Sequence, residues 1–481
     1  MGKTVHLILK NSTALVVGRL IAKAITFCFV FITARYLGVG GYGQLSFALS
    51  LTGLIAVFLD MGTTQHGIRE LARSPSNASQ YLSNVLFLRC CLVFFALIII
   101  GAFFIFTHQL TNQSLVLILS ISIALGAFSG VPSIIFQATE RMEFDALREI
   151  LKAVLLLSTG FIAIRLGKGI LGIAAAYVAV AVFDLIFSYV LLKKYFPGLS
   201  IKINSQSAKT ILKESIPLAL LVMSTQVYSR VDIFMLQALD TTKAVGLYNA
   251  AYRFVDTALM FSGAFCMALY PVLTKLAHET GDAFDRYMNS SLKLLSYSGL
   301  FLGLGVFFAS DTIIHVVFGS AFSESSKALK VLVWANAVMF IGGFLATSMI
   351  AINRQWLNFG YGLAQILVNV ILDWIFISRY GFVGASVGTL LAELFYVVLV
   401  LSYLRFGRKT KVDLTRVFLV PLGSASAVML VAWLLPAGIK TSYLGIMMAL
   451  PLYCLAVYFF GIKNEEKQML FGLFAPRRTG Q

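Results

Sequence analysis

The chain has 481 residues, of which 59% are hydrophobic and only 12% are charged. Soluble proteins carry about twice that charged fraction, so the composition excludes an ordinary soluble domain and indicates a polytopic membrane protein. The formal net charge of +17 would suit a nucleic-acid-binding protein, but the positions of the basic residues argue against that function.

Apolar segments long enough to cross a bilayer follow one another along the chain. A membrane-spanning helix needs roughly 20 apolar residues, and the alternation of a membrane β-barrel is absent, so we predict an all-α fold with about 14 transmembrane helices. The predicted spans are residues 11–34, 41–62, 82–106, 114–137, 147–166, 169–192, 211–238, 244–273, 290–309, 328–351, 357–378, 382–404, 414–435 and 440–461.

The basic residues are distributed according to the side of the membrane on which each loop is expected to lie. If the N-terminus faces the cytoplasm, most of the 38 lysine and arginine residues fall in alternate loops and in both tails, as the positive-inside rule requires. The short N-terminal segment lacks the features of a signal peptide, so we expect it to be retained and both termini to be cytoplasmic. The sequence therefore predicts a multi-pass protein of the cell (inner or cytoplasmic) membrane that does not bind nucleic acid.

The linker at 193–213, between the sixth and seventh spans, is rich in lysine. It carries Lys193, Lys194, Lys202, Lys209 and Lys213. These lysines set the topology under one interpretation and attract anionic membrane lipid under another, and the two interpretations are compatible.

Short similarities recur in the same order in the two halves of the chain. The three pairs are YGQLSFA (42–48) with VGLYNAA (245–251), ATERMEF (138–144) with AINRQWLNF (351–359), and GILGIAAAY (169–177) with GFVGASVGT (381–389). We interpret them as two six-helix lobes in parallel repeat, residues 1–200 and 201–410, with substrate held between them. Residues 411–481 then form two additional helices and a cytoplasmic tail.

The first span carries two positive charges. Arg19 and Lys23 lie four residues apart and therefore share one face of the helix, which Ser12 and Thr26 extend. Ionisable residues inside spans face protein or water and are functional by default. Arg19 can reach the cytoplasmic surface, but Lys23 is at mid-depth. We therefore expect this polar stripe to line a water-filled cavity.

The seventh and eighth spans carry polar residues in the matching part of the second half. These residues are Gln226, Tyr228, Arg230 and Asp232 on the seventh span and Asn249, Tyr252, Arg253 and Asp256 on the eighth. Arg253 and Asp256 are three residues apart, so they either pair with each other or leave Arg253 to hold an anion. The same spans thus offer both cations and acids to a cavity.

Acidic residues within the spans are candidates for coupling transport to an ion. The candidates are Asp60, Asp232, Asp256, Asp373 and Glu393. Gln365, Asn369 and Asp373 repeat every four residues and give the eleventh span a polar face. A carboxylate in a dry site can carry a proton. A hydrogen-bonded acid buried between helices is the alternative interpretation for each.

Signatures of catalysis and cofactor binding are absent or out of context. Gly38, Gly40 and Gly43 spell G-x-G-x-x-G, but a dinucleotide site needs this pattern after a strand, whereas here it falls between two membrane helices. The cysteines lie in apolar runs without metal-ligand spacing, and no Walker A sequence, H-E-x-x-H motif or nucleophile elbow occurs. We therefore predict a protein that is not an enzyme and has no catalytic residue, cofactor or metal site.

Four segments closely resemble oligosaccharide flippases of the polysaccharide-transport family, in the multidrug/oligosaccharidyl-lipid/polysaccharide exporter superfamily. They are ARYLGVGGYGQLSFALS (34–50), LDMGTTQHGIRELAR (59–73), QATERMEFDALREILK (137–152) and VDIFMLQALDTTKAVGLYNAAYRFVD (231–256). The resemblance extends over nearly the whole chain, including the two additional C-terminal helices, and includes no catalytic signature.

The resemblance implies two six-helix lobes around a central cavity that opens alternately to each side. The cargo of such flippases is an O-antigen-type oligosaccharide on a polyprenyl pyrophosphate, which they move to the outer leaflet for a polymerase or ligase. An H⁺ or Na⁺ gradient is the implied driving force. Arg19 and Lys23 match the cationic role of the family's first helix, and such cations form charge-assisted hydrogen bonds to phosphate.

We accordingly expect four cations to hold the pyrophosphate and sugar head group, and four polar residues to line the cavity around it. The cations are Arg19, Lys23, Arg230 and Arg253, and the polar residues are Gln226, Tyr228, Asn249 and Tyr252.

Three other functions compete with this one. A drug exporter working by cation antiport would take cationic substrates and need acids in its cavity, whereas the first lobe offers Arg19 and Lys23. A flippase for the peptidoglycan precursor is the second alternative, and the resemblance to the superfamily hardly distinguishes it from an oligosaccharide flippase. A membrane glycosyltransferase or polymerase would need a catalytic domain, for which the loops between the predicted spans are too short.

Overall fold

A computed structural model describes residues 2–106, 113–277, 282–434, 450–455 and 457–458. Every regular element within these ranges is helical, so the predicted all-α fold is confirmed. The chain divides into two compact units, Met1–Gly246 and Leu247–Gln481.

The helices of the first unit are α1 (Gly2–Asp60), α2 (Thr63–Arg73), α3 (Ala78–Phe106), α4 (Gln113–Ser129), α5 (Val131–Ala138), α6 (Met142–Arg165), α7 (Gly169–Tyr195), α8 (Ser205–Tyr228) and α9 (Val231–Leu239). A 3-10 turn at Pro75–Asn77 precedes α3. Helix α10 (Thr242–Ala277) begins in the first unit and continues into the second.

The second unit continues with α11 (Ala283–Phe318), α12 (Ser325–Ala351), α13 (Gln355–Ser402) and α14 (Val420–Leu434). A 3-10 turn at Ser320–Phe322 separates α11 from α12. Two π-helical turns, Tyr403–Gly407 and Thr415–Leu419, lie between α13 and α14.

Eight helical segments of the described chain are long and apolar enough to cross a membrane, and a ninth results if α8 and α9, bent by 44°, form one broken span. Two of the eight each extend over two predicted spans: Gln355–Gly407 contains 357–378 and 382–404, and Leu20–Arg73 contains 41–62 and most of 11–34. The predicted span 440–461 lies mostly outside the described residues. The multi-span membrane class is confirmed, while the number of helices stays a prediction.

Two glycines break the longest helices at junctions between predicted spans. Gly38 (φ 68°, ψ 179°) interrupts α1 between the first and second predicted spans, and Gly381 (φ 57°, ψ −139°) interrupts α13 between the eleventh and twelfth. Residues with a Cβ rarely adopt these angles. Each glycine therefore allows two helical segments to follow one another without an intervening loop.

The backbone of the two halves has the same geometry at one pair of aligned loops. Glu140, after α5, has φ 58°, and Asn353, after α12, has φ 59°. The next residues, Arg141 and Arg354, both donate their backbone N–H to a carbonyl at the end of the preceding helix, at 2.8 Å. Two helices thus end in the same cap at positions that the sequence comparison aligned, which supports a parallel repeat.

A second aligned pair agrees. Gly169 and Gly381 are the first residues of GILGIAAAY and GFVGASVGT, and both have positive φ, 61° and 57°. The helical segment that follows begins at the same point of the repeat in each half.

Each unit has its own apolar core. In the first unit, Phe29, Leu119 and Ile173 pack where α1, α4 and α7 meet. In the second, Leu292, Phe344 and Val400 join α11, α12 and α13. Lipid is as apolar as these side chains, so van der Waals packing rather than escape from water holds the helices together inside the membrane.

Candidate functional site

The first unit presents a predicted cation on an apolar helix. Lys23 lies on α1 within the candidate span Leu20–Arg73, its side chain is exposed, and it forms no ion pair with any described residue. Thr26, on the same face, donates its hydroxyl to the Ala22 carbonyl at 2.8 Å. The side chains of Arg19 and Ser12 lie outside the described part. An ammonium group at this position requires water or an anion beside it.

The predicted seventh span is broken at Arg230. Helix α8 ends at Tyr228, α9 begins at Val231, and Arg230 between them has the non-helical angles φ −127°, ψ −9°. Its side chain is half-buried and has no ion pair among the described residues. Transporters commonly bind their ligands where a membrane helix is interrupted, because the backbone there is freed from helical bonds.

The other predicted residues of this span lie in different surroundings. Gln226 lines a cavity of about 310 Å³ in the first unit, whose other walls are apolar side chains of α1, α3 and α8 such as Phe58, Ile100 and Met223. Tyr228 is half-buried, and Asp232 is buried in the first turn of α9. Gln226 is thus a single polar group in an apolar wall.

The polar face of α10 is more buried than a cavity lining requires. Asn249 and Tyr252 are 1% and 4% exposed, and Tyr252 stacks on Tyr248 with ring centroids 5.6 Å apart. Arg253 is partly exposed, with Nη1 4.0 Å from Oδ2 of Asp256. The predicted pair therefore exists at the outer limit of an ion pair, where its contribution is small.

The predicted polar face of the eleventh span is buried in the second unit. Gln365, Asn369 and Asp373 on α13 are 6%, 1% and 0% exposed. Gly388, beyond the break at Gly381, lies directly against the Asp373 carboxylate. Neither polar atom of the Asn369 side chain has a hydrogen-bond partner among the described residues. An unsatisfied buried amide is costly, so this cluster has unused capacity to bind an ion or water.

Two further predicted acids have defined surroundings. Glu393 is buried on α13, and its Oε2 would lie 3.4 Å from a Cβ at Gly342 of α12. Asp60, the last residue of α1, accepts hydrogen bonds from Arg89 and Thr64 and is ion-paired with Arg89. Asp60 is therefore already engaged by a buried cation.

Sequence reasoning missed a buried ion network in the first unit. Arg148 on α6 donates from Nε and Nη2 to the two oxygens of Asp184 on α7, both at 3.0 Å, and Nη1 lies 3.2 Å from Asp145. Ser129 donates to Asp184 at 2.6 Å and Gln137 to Asp145 at 2.8 Å. The signal was Asp184 within a span, because a membrane-buried acid requires a partner.

These observations divide four cations of the first unit into two groups. Arg89 and Arg148 are buried against carboxylates, whereas Lys23 and Arg230 have no carboxylate within ion-pair distance in the described chain. The second group is suited to an anion that the protein does not itself supply.

Solved structures place the fold in one class of membrane transporter. The structure of the lipid II flippase MurJ in an inward closed conformation matches with a TM-score of 0.74 at 18% identity, covering 94% of this chain and 98% of that one. An inward-facing multidrug resistance MATE transporter of the MOP superfamily matches at 0.64 and 16% identity, covering 79% and 92%. The chain has the fold of this transporter superfamily.

Sequence relatives carry names from glycan synthesis. The probable low-salt glycan biosynthesis flippase Agl15 of Haloferax volcanii is 22% identical over 82% of this chain and 83% of its own length. The capsular polysaccharide biosynthesis protein CapF of Staphylococcus aureus is 20% identical over 83% of this chain and 99% of its own.

The family described as polysaccharide biosynthesis protein matches residues 8–277, and the chain belongs to that family. It is a multi-span membrane protein of the flippase and transporter class, and the prediction that it is not an enzyme agrees with these relatives.

Proposed function

We propose that the protein flips a polyprenyl-pyrophosphate-linked oligosaccharide from the cytoplasmic to the outer leaflet for surface polysaccharide or glycan synthesis. The observation that carries this proposal is Lys23, an exposed ammonium in an apolar span with no carboxylate partner among the described residues. A pyrophosphate supplies the missing negative charge, and its oxygens accept charge-assisted hydrogen bonds. The flippase names of relatives such as Agl15 support the same cargo class.

The roles of the residues follow from this charge argument. Arg19 and Lys23 hold the pyrophosphate, Arg230 and Arg253 contribute further cations, and the polyprenyl tail stays in the bilayer. Alternating access moves the head group across without exposing it to hydrocarbon.

The test uses cells that lack the protein but retain the enzymes that assemble the lipid-linked sugar. An impermeant glycan-cleaving reagent reports the membrane face on which the sugar lies. Restoring the wild type is expected to return the sugar to the outer face, whereas Arg19→Ala/Lys23→Ala, expressed equally, leaves it inside. Lys23→Arg should keep most of the activity, because a cation is retained.

Lys168→Ala is the matched control, since Lys168 is an exposed lysine outside the spans. Outer-face sugar in cells without the protein, with no second flippase present, would contradict the proposal. Small-molecule export would then be the function to test. Export of a peptidoglycan precursor instead of the oligosaccharide would transfer the proposal to that cargo.

We further propose that the cluster around Asp373 couples transport to an ion gradient. A buried carboxylate with an amide oxygen nearby is suited to a proton or a hard cation. Asn369 lies one helical turn before Asp373 on α13, and its side-chain polar atoms have no hydrogen-bond partner among the described residues. Asp232, Asp256, Glu393 and Asp60 are the other candidates for this role.

Proteoliposomes with an imposed proton or sodium gradient test the coupling. Asp373→Asn and Asn369→Leu are expected to abolish the dependence of flipping on the gradient while head-group binding persists. Thr257→Val is the control, because Thr257 is exposed on α10. Unchanged gradient dependence in Asp373→Asn would exclude this acid as the coupling residue and leave the flippase proposal intact.

A further inference from the structure

The segment between α7 and α8, residues 196–204, presents apolar side chains outside the packed protein. We call it the linker segment. Its Ile201 and Ile203 are 84% and 57% exposed, although Phe196 and Leu199 of the same segment pack against an apolar core. Part of the linker segment therefore packs against the apolar core of the first unit, while its two isoleucines do not.

Hydrogen bonds to α3 hold the linker segment in this register. The backbone N–H groups of Ser200, Lys202 and Asn204 donate to side chains of α3, at 3.2, 3.0 and 2.8 Å; the acceptors are Ser79, Ser83 and Asn84 in that order. Ile201 and Ile203 alternate along the chain with these three anchored residues, so the bonds that hold Ser200, Lys202 and Asn204 also hold the isoleucines in their exposed position.

The charged residues of the linker segment and of the chain on either side of it all have one sign. Lys193 and Lys194 end α7, Lys202 lies in the segment, and no Asp or Glu occurs between Asp184 and Glu214. Such a strip of cations without acids complements an anionic surface.

Tyr195 locates this strip relative to the bilayer. Tyr195 is the last residue of α7. The Arg141 guanidinium and the Lys194 ammonium each lie 5.5 Å from its ring centroid. Tyrosines at the ends of spans lie at the headgroup level. The candidate spans that flank the segment end at Tyr195 and begin at Ser205. The exposed isoleucines thus lie between two span ends, near the boundary between the lipid headgroups and the acyl chains.

We propose that the linker segment is a membrane-surface anchor for anionic lipid. Ile201 and Ile203 enter the acyl boundary, and Lys193, Lys194 and Lys202 contact lipid phosphates. Apolar side chains flanked by lysines bind interfaces through buried apolar area together with attraction to anionic headgroups. Each lysine near an anionic surface contributes roughly a five-fold preference for anionic over zwitterionic lipid. The proposed anchor binds lipid of the surrounding membrane, so its test does not depend on the identity of the transported cargo.

Nitroxide quenching of a fluorophore tests where the segment lies. A full-length variant with its five native cysteines replaced and Ile201→Cys added carries an NBD label, in nanodiscs of phosphatidylcholine with or without phosphatidylglycerol. Lipid nitroxides are expected to quench the label strongly, and more so with phosphatidylglycerol. Lys193→Gln/Lys194→Gln/Lys202→Gln is expected to reduce the quenching to the value in phosphatidylcholine alone.

Two controls match these changes. A label at Lys409→Cys, exposed just beyond the candidate span that ends at Gly407, is expected to be quenched by aqueous acrylamide rather than by lipid nitroxides. Arg165→Gln/Lys168→Gln removes two charges at the other end of α7 and is expected to leave the Ile201 label unchanged. Equal lipid quenching of the two labels, or the same quenching in both lipid mixtures, would overturn the proposal.

Native mass spectrometry of the protein with its own cysteines gives an answer if the labelled variant does not fold. From mixed lipid, the wild type is expected to retain phosphatidylglycerol preferentially, and the triple glutamine variant is expected to lose that preference by at least several-fold. Equal retention by both proteins would contradict a headgroup role for these lysines.

Discussion

At the scale of single residues, three cations of the first unit differ both in their partners and in their burial. Arg89 and Arg148 are 2% and 4% exposed, and both are neutralised by aspartates. Lys23 is exposed and has no carboxylate partner in the described chain. Buried pairs hold helices together, while an unneutralised cation is available to a ligand. Substituting a buried, paired cation is therefore expected to lower the stability of the protein, whereas substituting Lys23 is expected to impair ligand binding.

Arg148→Ala is expected to destabilise the protein without a specific effect on ligand binding. Removing one partner of a buried ion pair leaves an uncompensated charge and costs about 3–5 kcal/mol. Here Asp145 loses its ion-pair partner, and Asp184 keeps only Lys152, at 3.8 Å. Thermal unfolding of the purified protein in detergent measures the loss. Arg148→Lys should recover part of it, since it keeps the charge but not the two-pronged hydrogen bonding.

Arg165→Ala is the control, because Arg165 is an exposed arginine at the end of the same helix. An Arg148→Ala protein that unfolds at the wild-type temperature would show that the network contributes nothing to stability.

At the scale of helices, glycine positions decide where segments bend and how closely they approach. Gly38 has φ 68° and no atom within 4 Å of the place a Cβ would take, so a side chain there meets only backbone strain. Gly43, in the helical segment that follows, does not have positive φ, so its backbone angles would allow a side chain. There is no space for one, because a Cβ would overlap the Thr242 carbonyl oxygen. In the G-x-G-x-x-G pattern, Gly38 is thus required by the backbone angles and Gly43 by the close approach of another segment.

Gly38→Ala is expected to cost about 1–3 kcal/mol, because φ 68° with ψ 179° lies in a backbone region that is essentially restricted to glycine. Gly40→Ala is the matched control: Gly40 does not have positive φ, and the nearest atom to its Cβ position is 4.0 Å away. Unfolding temperatures of the two variants provide the measurement. Equal temperatures would mean that the break in α1 tolerates a side chain.

Gly43→Ala is expected to destabilise through a steric clash, since the neighbour is backbone and cannot rotate away. Gly53→Ala, with nothing within 4 Å of its Cβ position, should instead be neutral or gain up to about 1 kcal/mol of helix propensity. Reciprocally, a Cβ at Gly246 would overlap the Val39 carbonyl oxygen, so Gly246→Ala should behave like Gly43→Ala. A stable, fully active Gly43→Ala protein would argue against close packing at this point.

At the scale of the whole molecule, the distribution of basic residues predicts the orientation in the membrane. The two ends of α7 provide the contrast, because Lys202 follows the helix and Lys168 precedes it, and both are exposed. With the N-terminus in the cytoplasm, a single-cysteine Lys202→Cys variant should react with impermeant maleimide only after the membrane is opened. Lys168→Cys should react in intact cells. The reverse pattern would invert the proposed topology.

The sequence alone predicted much of the fold, for reasons of periodicity and composition. Apolar runs located the helices, and weak similarities aligned Glu140 with Asn353 and Gly169 with Gly381 before their matching backbone angles were known. It did not predict that Asn249 and Tyr252 are buried, because a polar residue in an apolar helix has the same pattern whether it faces a cavity or a neighbouring helix. Nor did it find that Arg89 engages Asp60.

The amino-acid sequence by itself determined that this protein lies in a membrane and is helical, and it predicted two similar halves. Those properties follow from the number, spacing and order of apolar residues, which can be read along the chain. Only the tertiary structure decided which charges are neutralised and which remain available, as for Arg148 beside Asp184 and Lys23 without a carboxylate. Neutralisation depends on which helices pack together, and contacts between distant parts of the chain have no signature in local spacing.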